Sequence, residues 1–302
     1  MTSTQRYSFT LLAVFILCIS VQALNKVNVW GFFAHRKINE LAVYALPDSM
    51  HIYLRSHIEY LSEHAVDPDR RRHSTKGEAE KHYIDLDYYP YDIKQLADSF
   101  PKSWEMALSC YPEDTLRTYG IAPWNLQQYH YRLVKQFQGR DLSKLLKTMA
   151  DYGHYVGDIH VPLHTTMNYN GQLTGQKGIH GLWETRLPEL FFDEYDLLVE
   201  EVKYIDDVQE LIWSVVLESH RLMPEVLHKE MMLSKANSSS KYTFEERGER
   251  TTTSYAKSFS QLYHDNLNGM VEQRMRCAVS CLASLWYTAW VDAGQPSLKE
   301  FE

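Results

Sequence analysis

The residues best suited to chemistry lie in one stretch of this chain, DYGHYVGDIHVPLH. His154 and Asp158 are four residues apart on a predicted helix, so their side chains lie on one face, about 6 Å apart at Cβ. Pro162 ends that helix and the chain then turns, so that His164 approaches from a new direction. An imidazole and a carboxylate at this spacing can bind one cation together.

A second pair repeats this spacing further along the chain. His180 and Glu184 are four residues apart on a second short predicted helix. Imidazole nitrogen and carboxylate oxygen are ligands that suit zinc. The two segments therefore predict a multinuclear zinc site in which one acid is shared between ions.

Three upstream fragments carry further donors of the same kind. A lone His–Asp pair at helical spacing is more often a surface hydrogen bond than a metal site, whereas several such fragments in one chain favour a metal centre. The fragments contain Trp30 with His35, Asp67 with Asp69, and His82 with Asp85.

The elements that position these donors are predicted to be helices. Apolar residues recur at three- and four-residue spacing, prolines fall near the ends of those stretches, and strand-like alternation is scarce. The fold class is therefore predicted to be all-α, in one multi-helix domain spanning residues 24–302. The polar, Ser/Thr-rich segment 233–253 is interpreted as a mobile loop or an irregular insertion. The predicted helical stretches are Ile38–Tyr44, Ile52–Leu61, Leu126–Phe137, Leu142–Val156, Val208–Leu227 and Met270–Val291.

Residues 1–23 are typical of an export signal. Arg6 gives a basic start, the apolar run at 9–21 is too short to favour a membrane span, and Val21-Gln22-Ala23 offers small residues for cleavage. The protein is therefore expected in the periplasm or outside the cell, and is not expected to span a membrane.

The formal net charge of the chain, −8, gives no general attraction for nucleic acid, so a phosphate must be held by a local site.

The cysteines of the mature chain do not suggest a thiolate zinc site, because no CxxC spacing is present. Cys110, Cys277 and Cys281 are odd in number, which excludes full internal pairing. Cys277 and Cys281 share a helical face and are interpreted as small packing residues, and one disulfide involving Cys110 stays open. No Gly-x-Ser-x-Gly motif or other covalent nucleophile accompanies the donors.

Together, the donor segments resemble the zinc-dependent phospholipase C and single-strand-specific nuclease superfamily, which includes the S-one/P-one-type nucleases. The family's pattern is an N-terminal Trp with a His five residues on, then an Asp, a His, a His-x3-Asp-x5-His segment and a final His-x3-Asp. The resemblance extends from Trp30 to the last predicted helix near Trp290, and the run DIHVPLH matches the family's Asp-x-His-x-Pro-Leu-His.

The resemblance implies a buried trinuclear zinc cleft with two to three bound ions. Asp67 and Asp69 each precede an Arg by three residues; Pro-Asp-x-x-Arg favours Asp69 as the ligand, whereas the distance to His82 favours Asp67. Asp69 and Asp158 are the carboxylates expected to take part in catalysis. One zinc would be held by the Asp at 67 or 69, His82, His154 and Asp158, a second by His164, His180 and Glu184, and a third by His35, the Trp30 main chain and the bridging Asp158.

Three departures from the family pattern bear on activity. Glu184 stands where Asp is usual, and its longer arm shifts its position or denticity. The segment NYNGQLTGQKGI replaces a Gly-Gly-Asn segment that helps to hold the nucleotide, which weakens the expectation of nuclease action. Cleavage after Ala23 leaves six residues ahead of Trp30, whose free amine binds zinc in the family, so without further trimming only the Trp30 carbonyl serves.

The predicted function is that of an exported zinc-dependent hydrolase of phosphate esters, which uses zinc-bound hydroxide on single-stranded nucleic acid or nucleotides. Phospholipase C-type cleavage of lipid head groups is the alternative within this class. A non-catalytic, zinc-stabilised binding protein is the alternative outside it, and no protein partner is indicated. Arg72, Tyr169 and Asn170 are predicted to bind the substrate.

Some polar residues near the donors have predicted supporting roles. Asp85 and Asp151 are candidates for orienting the rings of His82 and His154. His160 is interpreted as a packing or hydrogen-bonding residue rather than a ligand.

Overall fold

The computed structural model of the chain describes residues 31–199, 202–247 and 250–301. The predicted export signal at 1–23 and the predicted ligand Trp30 lie outside these residues. Helices make up most of the described chain, and the strands in this part form one two-stranded hairpin. The predicted all-α class is therefore confirmed. None of the helices in the described part combines the length and apolarity that a membrane crossing requires.

The α-helices differ widely in length, and short 3-10 and π turns connect several of them. In chain order the α-helices are α1 Phe32–Ala45, α2 Asp48–Leu54, α3 Ile58–His64, α4 Asp67–Arg71, α5 Ile93–Asp98, α6 Trp104–Cys110, α7 Glu113–Thr118, α8 Ala122–Gly139, α9 Leu142–Ile159, α10 Ile179–Gly181, α11 Leu187–Phe191, α12 Val208–Ala236, α13 Lys257–Asn266 and α14 Met270–Asp292. The 3-10 turns are Arg55–His57, Ala79–Lys81, Leu86–Tyr88, Pro162–Thr165, Phe192–Glu194, Ser238–Ser240 and Leu298–Glu300, and the π turn is Leu182–Arg186.

Helix α9 lies at the centre of the body. The Asp141 side chain caps its start by accepting a hydrogen bond from the Lys144 N–H at 3.0 Å. Every residue from Thr148 to the end of the helix is buried, which is the behaviour of a helix surrounded by others. Its neighbours are α1, α3, α8 and α14. Side chains on the second half of α9 therefore face the protein interior.

The predicted helical stretches agree with the structure, with one exception. The stretch Ile52–Leu61 is interrupted by the 3-10 turn Arg55–His57, which separates α2 from α3. The sequence did not indicate α5, α6 and α7, each of which has seven residues or fewer. Helices this short depend on tertiary packing for their stability.

The prediction of an irregular loop at 233–253 was wrong. Helix α12 continues to Ala236, and strands β1 Tyr242–Arg247 and β2 Arg250–Tyr255 then form an antiparallel hairpin. Successive threonines give β2 the β-branched side chains that favour strands, although the segment is polar. The buried Lys241 holds the hairpin against α12 through an ion pair of 2.7 Å with Glu230.

Of the two cysteines interpreted as packing residues, Cys281 lies in the apolar core and Cys277 is half-buried. Cys281 is buried in the cluster formed around α8, α9 and α14. Cys110, Cys277 and Cys281 are free thiols. The structure therefore contains no disulfide between the described cysteines.

Candidate metal centre

Helix α9 supplies the first two donors. His154 and Asp158 are both buried, and Asp158 Oδ2 lies 3.3 Å from His154 Nε2. The predicted sharing of one helical face is confirmed. The helix ends at Ile159, and the Pro162–Thr165 turn follows.

Helix α1 approaches α9 closely because two glycines of α9 face it. A Cβ on Gly153 would lie 1.9 Å from Asn39 Oδ1, and a Cβ on Gly157 would lie 2.7 Å from His35 Nδ1. The absence of a side chain at both positions lets α1 pack against the α9 backbone. As a result, His35 Nε2 lies 3.5 Å from Asp158 Oδ1.

His82 and Asp69 complete the group next to α9. His82 Nδ1 lies 3.0 Å from Asp158 Oδ2 and 3.0 Å from His154 Nε2. Asp69 Oδ1 lies 3.7 Å from His82 Nδ1 and 3.8 Å from His154 Nε2. Of the two aspartates that the sequence left open, the structure places Asp69 in the cluster.

Two other residues considered from the sequence lie outside the cluster. The carboxylate of Asp67 is engaged by His64 at 2.6 Å and by Arg70 at 2.9 Å, so Asp67 is not available as a ligand. His160 is buried, and its Nδ1 lies 2.7 Å from the Val156 carbonyl oxygen. His160 thus has the hydrogen-bonding role that the sequence suggested.

His164, His180 and Glu184 form a further group. His164 Nε2 and His180 Nε2 are 2.8 Å apart, and Glu184 Oε2 lies 2.7 Å from His180 Nε2 and 3.3 Å from His164 Nε2. The predicted short helix is a three-residue α10 followed by the π turn Leu182–Arg186. Single π turns of this kind are frequent at functional sites.

Backbone carbonyls set the tautomers of two of these histidines. His154 Nδ1 lies 2.9 Å from the Ala65 oxygen, and His164 Nδ1 lies 2.7 Å from the His82 oxygen. A ring nitrogen that faces a carbonyl carries the proton, so each Nε2 offers its lone pair to the cluster. This is the arrangement that metal-binding histidines adopt.

The negative charge of the cluster also favours cations. In the described part of the chain, Asp69, Asp158 and Glu184 form no ion pair with Lys or Arg, and Asp158 Oδ2 makes no hydrogen bond there. Asp158 and Glu184 are buried, and buried carboxylates without cationic partners are costly. Divalent ions would supply the missing charge, and the nitrogen and oxygen donors fit zinc.

Without a bound ion, protons on the histidine rings supply the positive charge that balances these carboxylates. Burial alone would lower the pKa of His154, but the Asp158 and Asp69 carboxylates outweigh that effect and raise the pKa to about 9. The pKa of His164 is likewise lowered by burial but raised more strongly by Asp158 and Glu184, to about 8. Ion binding must therefore displace protons from these rings.

The expected pairing of Asp151 with His154 is wrong, because Asp151 belongs to a different network. Its carboxylate accepts hydrogen bonds of 2.9 and 3.0 Å from the two terminal nitrogens of Arg71. Arg71 also donates to Glu78 at 2.9 Å. Since Arg71 belongs to α4, this half-buried network holds α4, and with it Asp69, against α9.

A cleft of about 330 Å³ opens beside His164 and His180. Its walls are rich in tyrosine and also hold one guanidinium and one carboxylate. Asp85 lies on this wall and is not hydrogen-bonded to His82 in the described structure, so its predicted orienting role is wrong. The side chains that matter for chemistry here are Arg72, Tyr83, Asp85, Tyr119 and Tyr169.

The three residues predicted to bind substrate lie in different environments. Arg72 is half-buried, lines the cleft and forms no ion pair with a carboxylate in the described chain. Tyr169 is 49% exposed and lies edge-on to His180, with ring centroids 6.0 Å apart. Asn170 is not among the residues that line the cleft, and its Oδ1 accepts a hydrogen bond of 3.0 Å from the Gly178 N–H; its substrate-binding role stays a prediction.

Asp85 has an unusual electrostatic position. Burial and the neighbouring carboxylate of Asp87 raise the pKa of Asp85 from 3.8 to about 7. A folded-state pKa above that of the unfolded chain means that ionisation of Asp85 destabilises the fold progressively as the pH rises from about 4 to about 7. A divalent ion near His164 would lower this pKa and keep the group ionised.

We expect Asp85→Asn to stabilise the metal-free protein more at pH 8 than at pH 5. After allowance for solvent screening, the gain at pH 8 should be ~1–2 kcal/mol, because the variant removes a charge that the folded state disfavours. Melting curves in chelator at both pH values would measure it. Asp98→Asn, at an exposed position of α5, serves as the control, and an equal gain at both pH values would contradict the expectation.

Sequence reasoning missed the residues that bring α1 to the cluster. Gly153 and Gly157 are four residues apart in DYGHYVGD, a small-xxx-small spacing that permits close helix contact. Asn39 lies four residues after His35 and faces Gly153. The glycine spacing was visible in the sequence, but its partner helix was not.

The fold and the site together define a mainly helical protein with buried groups of His, Asp and Glu that could hold metal ions. No protein-family model matches the chain, and no curated protein matches it.

Proposed function

We propose that this protein is a zinc-dependent phosphoesterase related to the phospholipase C and single-strand nuclease superfamily. One observation carries the proposal: donors from segments far apart in the chain converge in overlapping groups whose ligand atoms lie within 4.8 Å of one another. These donors are His35, Asp69, His82, His154, Asp158, His164, His180 and Glu184.

Zinc bound by these donors would supply a hydroxide near neutral pH and neutralise phosphoryl oxygens. The chain's own residues then have separate tasks. Arg72, on the cleft wall beside His164, is placed to bind a phosphate oxygen through its guanidinium. The fixed Nδ1–H groups of His154 and His164 keep their rings oriented during turnover. No covalent nucleophile is needed.

The cleft supports nucleic acid or nucleotides as the substrate. Tyr83, Tyr119 and Tyr169 offer rings on which a base can stack. The Asp85 carboxylate on the same wall can accept hydrogen bonds from base N–H groups. Unstacked bases are recognised by this combination of aromatic rings and edge-directed hydrogen bonds.

Phospholipase C action is the second candidate. Leu173 is 69% exposed and lies on the loop that follows Tyr169. An exposed apolar side chain on the loop that also carries the cleft residue Tyr169 would suit contact with a lipid surface. A purely structural zinc site has less support, because structural sites are usually closed and often bound by thiolates, whereas these donors include no thiolate and border an open cleft.

Turnover of single-stranded DNA, mononucleotides and phosphatidylcholine vesicles, with and without chelator, would test the proposal. We expect chelator-sensitive turnover, greatest on the nucleic acid substrates. His164→Ala should remove this turnover with little change in melting temperature, while His160→Gln, at a buried histidine outside the cluster, should retain zinc and activity. Fewer than two tightly bound zinc ions in the purified protein would refute the proposal.

A further inference from the structure

A second groove lies on the surface of α8. It has a volume of about 560 Å³ and shares no lining residue with the cleft beside His164. Its walls combine aromatic rings, amide groups and cations, and none of its lining residues is an acid. The groove therefore offers π faces beside positive charge. Its lining includes Trp104, Gln127, Gln128, Tyr131, Arg132 and Lys135.

The exposed side chains of this groove follow the helical repeat of α8. Lys135 comes three residues after Arg132 and four after Tyr131, so the three side chains share one face of the helix, and all three are exposed. Tyr131 is 65% exposed, and Lys135 Nζ lies 5.4 Å from its ring centroid. A ring for base stacking and a cation for phosphate binding thus lie side by side.

Carboxylates do not neutralise the positive charge of the groove. The 18 residues of α8 include no Asp or Glu, and neither Arg132 nor Lys135 forms an ion pair within the described residues. The Arg132 guanidinium packs over the Tyr129 ring at 4.5 Å. Lys135 donates a hydrogen bond of 3.3 Å to Gln138. Because the whole chain has a net charge of −8, this local excess of cations favours an anionic ligand.

Helix α7 connects the groove with the cleft. The Arg117 guanidinium lies 5.9 Å from the ring centroid of Trp104 in the groove, and Tyr119, which follows α7, lines the cleft. Arg117 and Tyr119 are separated by at most about 7 Å of chain. Arg117 pairs with Glu113 and Glu80, so it holds α7 in place. A strand of several nucleotides is long enough to contact the cleft and the groove together.

We propose that the groove on α8 binds single-stranded nucleic acid as an extension of the cleft. A base stacks on Tyr131, and Arg132 and Lys135 bind backbone phosphates. Stacking of this kind accepts any base, whereas a duplex keeps its bases stacked on one another and does not offer them to the ring. This inference rests on the proposed action on nucleic acid, and it narrows the preferred substrate to single strands of several nucleotides.

The test measures strand binding by the zinc-loaded protein and by two groove variants, Tyr131→Ala and the double variant Arg132→Gln with Lys135→Gln. The probe is a labelled, hydrolysis-resistant phosphorothioate oligo(dT) of about 20 nucleotides, longer than the roughly 4–16 that one strand-binding domain covers. Its fluorescence anisotropy gives the affinity. Tyr131→Ala should weaken binding about 5- to 150-fold through the lost stacking. The double variant should reduce the slope of log affinity against log salt by about 1.4, since two phosphate contacts are lost.

Two controls separate this effect from a change in net charge or in the metal centre. The double variant Lys235→Gln with Lys257→Gln, at exposed positions of α12 and α13, removes the same charge and should leave the affinity and the salt slope unchanged. Hydrolysis of bis(p-nitrophenyl) phosphate should be the same in every variant, because this substrate is too small to reach the groove. The KM for oligo(dT) should rise in the groove variants alone.

Three results would overturn the inference. The first is a parent-like affinity and salt slope in both groove variants, whether or not the protein hydrolyses phosphodiesters. The second is binding of a duplex of the same length as tightly as the single strand. The third is equally tight binding of heparin, which would assign the groove to polyanions in general. Groove-dependent binding of the strand without hydrolysis of any phosphodiester would support the groove and refute the proposed hydrolase function.

Discussion

Replacing Asp158 with Asn is expected to lower phosphodiester hydrolysis by more than about 1,000-fold, or ~4 kcal/mol of barrier, and to reduce the number of bound zinc ions. Its Oδ2 lies 3.0 Å from His82 Nδ1, and its Oδ1 lies 3.5 Å from His35 Nε2. Asn keeps the shape of the side chain but removes the charge and one acceptor. The ion proposed beside His82 and the ion proposed beside His35 would therefore each lose a ligand. Hydrolysis of bis(p-nitrophenyl) phosphate and zinc content would be measured together.

Asp151→Asn is the matched control for this experiment. Asp151 is also a buried aspartate of α9, but it lies two turns earlier and pairs with Arg71. Its replacement should lower stability and weaken zinc binding only indirectly, through the position of Asp69 on α4, so that the losses of zinc and activity should be much smaller than in Asp158→Asn. Equal zinc loss in both variants would show that the effect follows from damage to α9, and not from a shared ligand.

Gly153→Ala is expected to give a large loss of stability from a single methyl group. The new Cβ would lie 1.9 Å from Asn39 Oδ1, and Asn39 is held by hydrogen bonds to Leu61 O at 3.0 Å and Ala150 O at 3.2 Å. Overpacking and the strained hydrogen bonds should outweigh the better helix propensity of Ala, for a net cost of ~2–4 kcal/mol. The melting temperature should fall by roughly 4–8 °C.

Two comparisons separate this steric effect from a general cost of alanine. Gly139→Ala, at the last residue of α8 with nothing within 4 Å of its Cβ, should leave the melting temperature unchanged or raise it. In an Asn39→Ala background, Gly153→Ala should cost much less than in the parent, because the clashing side chain is absent. Additive effects of the two substitutions would contradict the proposed contact between α1 and α9.

The local part of the site was predictable from the sequence, because helix geometry fixes neighbours four residues apart. His154 with Asp158 and His180 with Glu184 are paired in the structure as their spacing indicated. The helical class followed from the same periodicity. The hairpin at 242–255 was missed because its threonine-rich polarity is equally typical of loops and of exposed strands.

The local sequence does not distinguish Asp67 from Asp69 as the ligand. Both precede an Arg by three residues, so their local chemistry is the same. The network between Arg71 and Asp151 orients α4 so that Asp69 faces the cluster while Asp67 pairs with Arg70. That network joins residues 80 positions apart, and no spacing in the sequence indicates it.

The amino-acid sequence by itself determined the helical class, the kinds of donor and the pairs that one turn of helix brings together. Only the tertiary structure decided which pairs meet, that Asp85 faces the cleft, and that Glu184 touches His35 from 149 positions away. The physical reason is the distance along the chain over which each kind of interaction acts. Helical periodicity acts over a few residues, whereas contacts between distant segments depend on helix packing, here on the close approach of α1 to the glycines of α9.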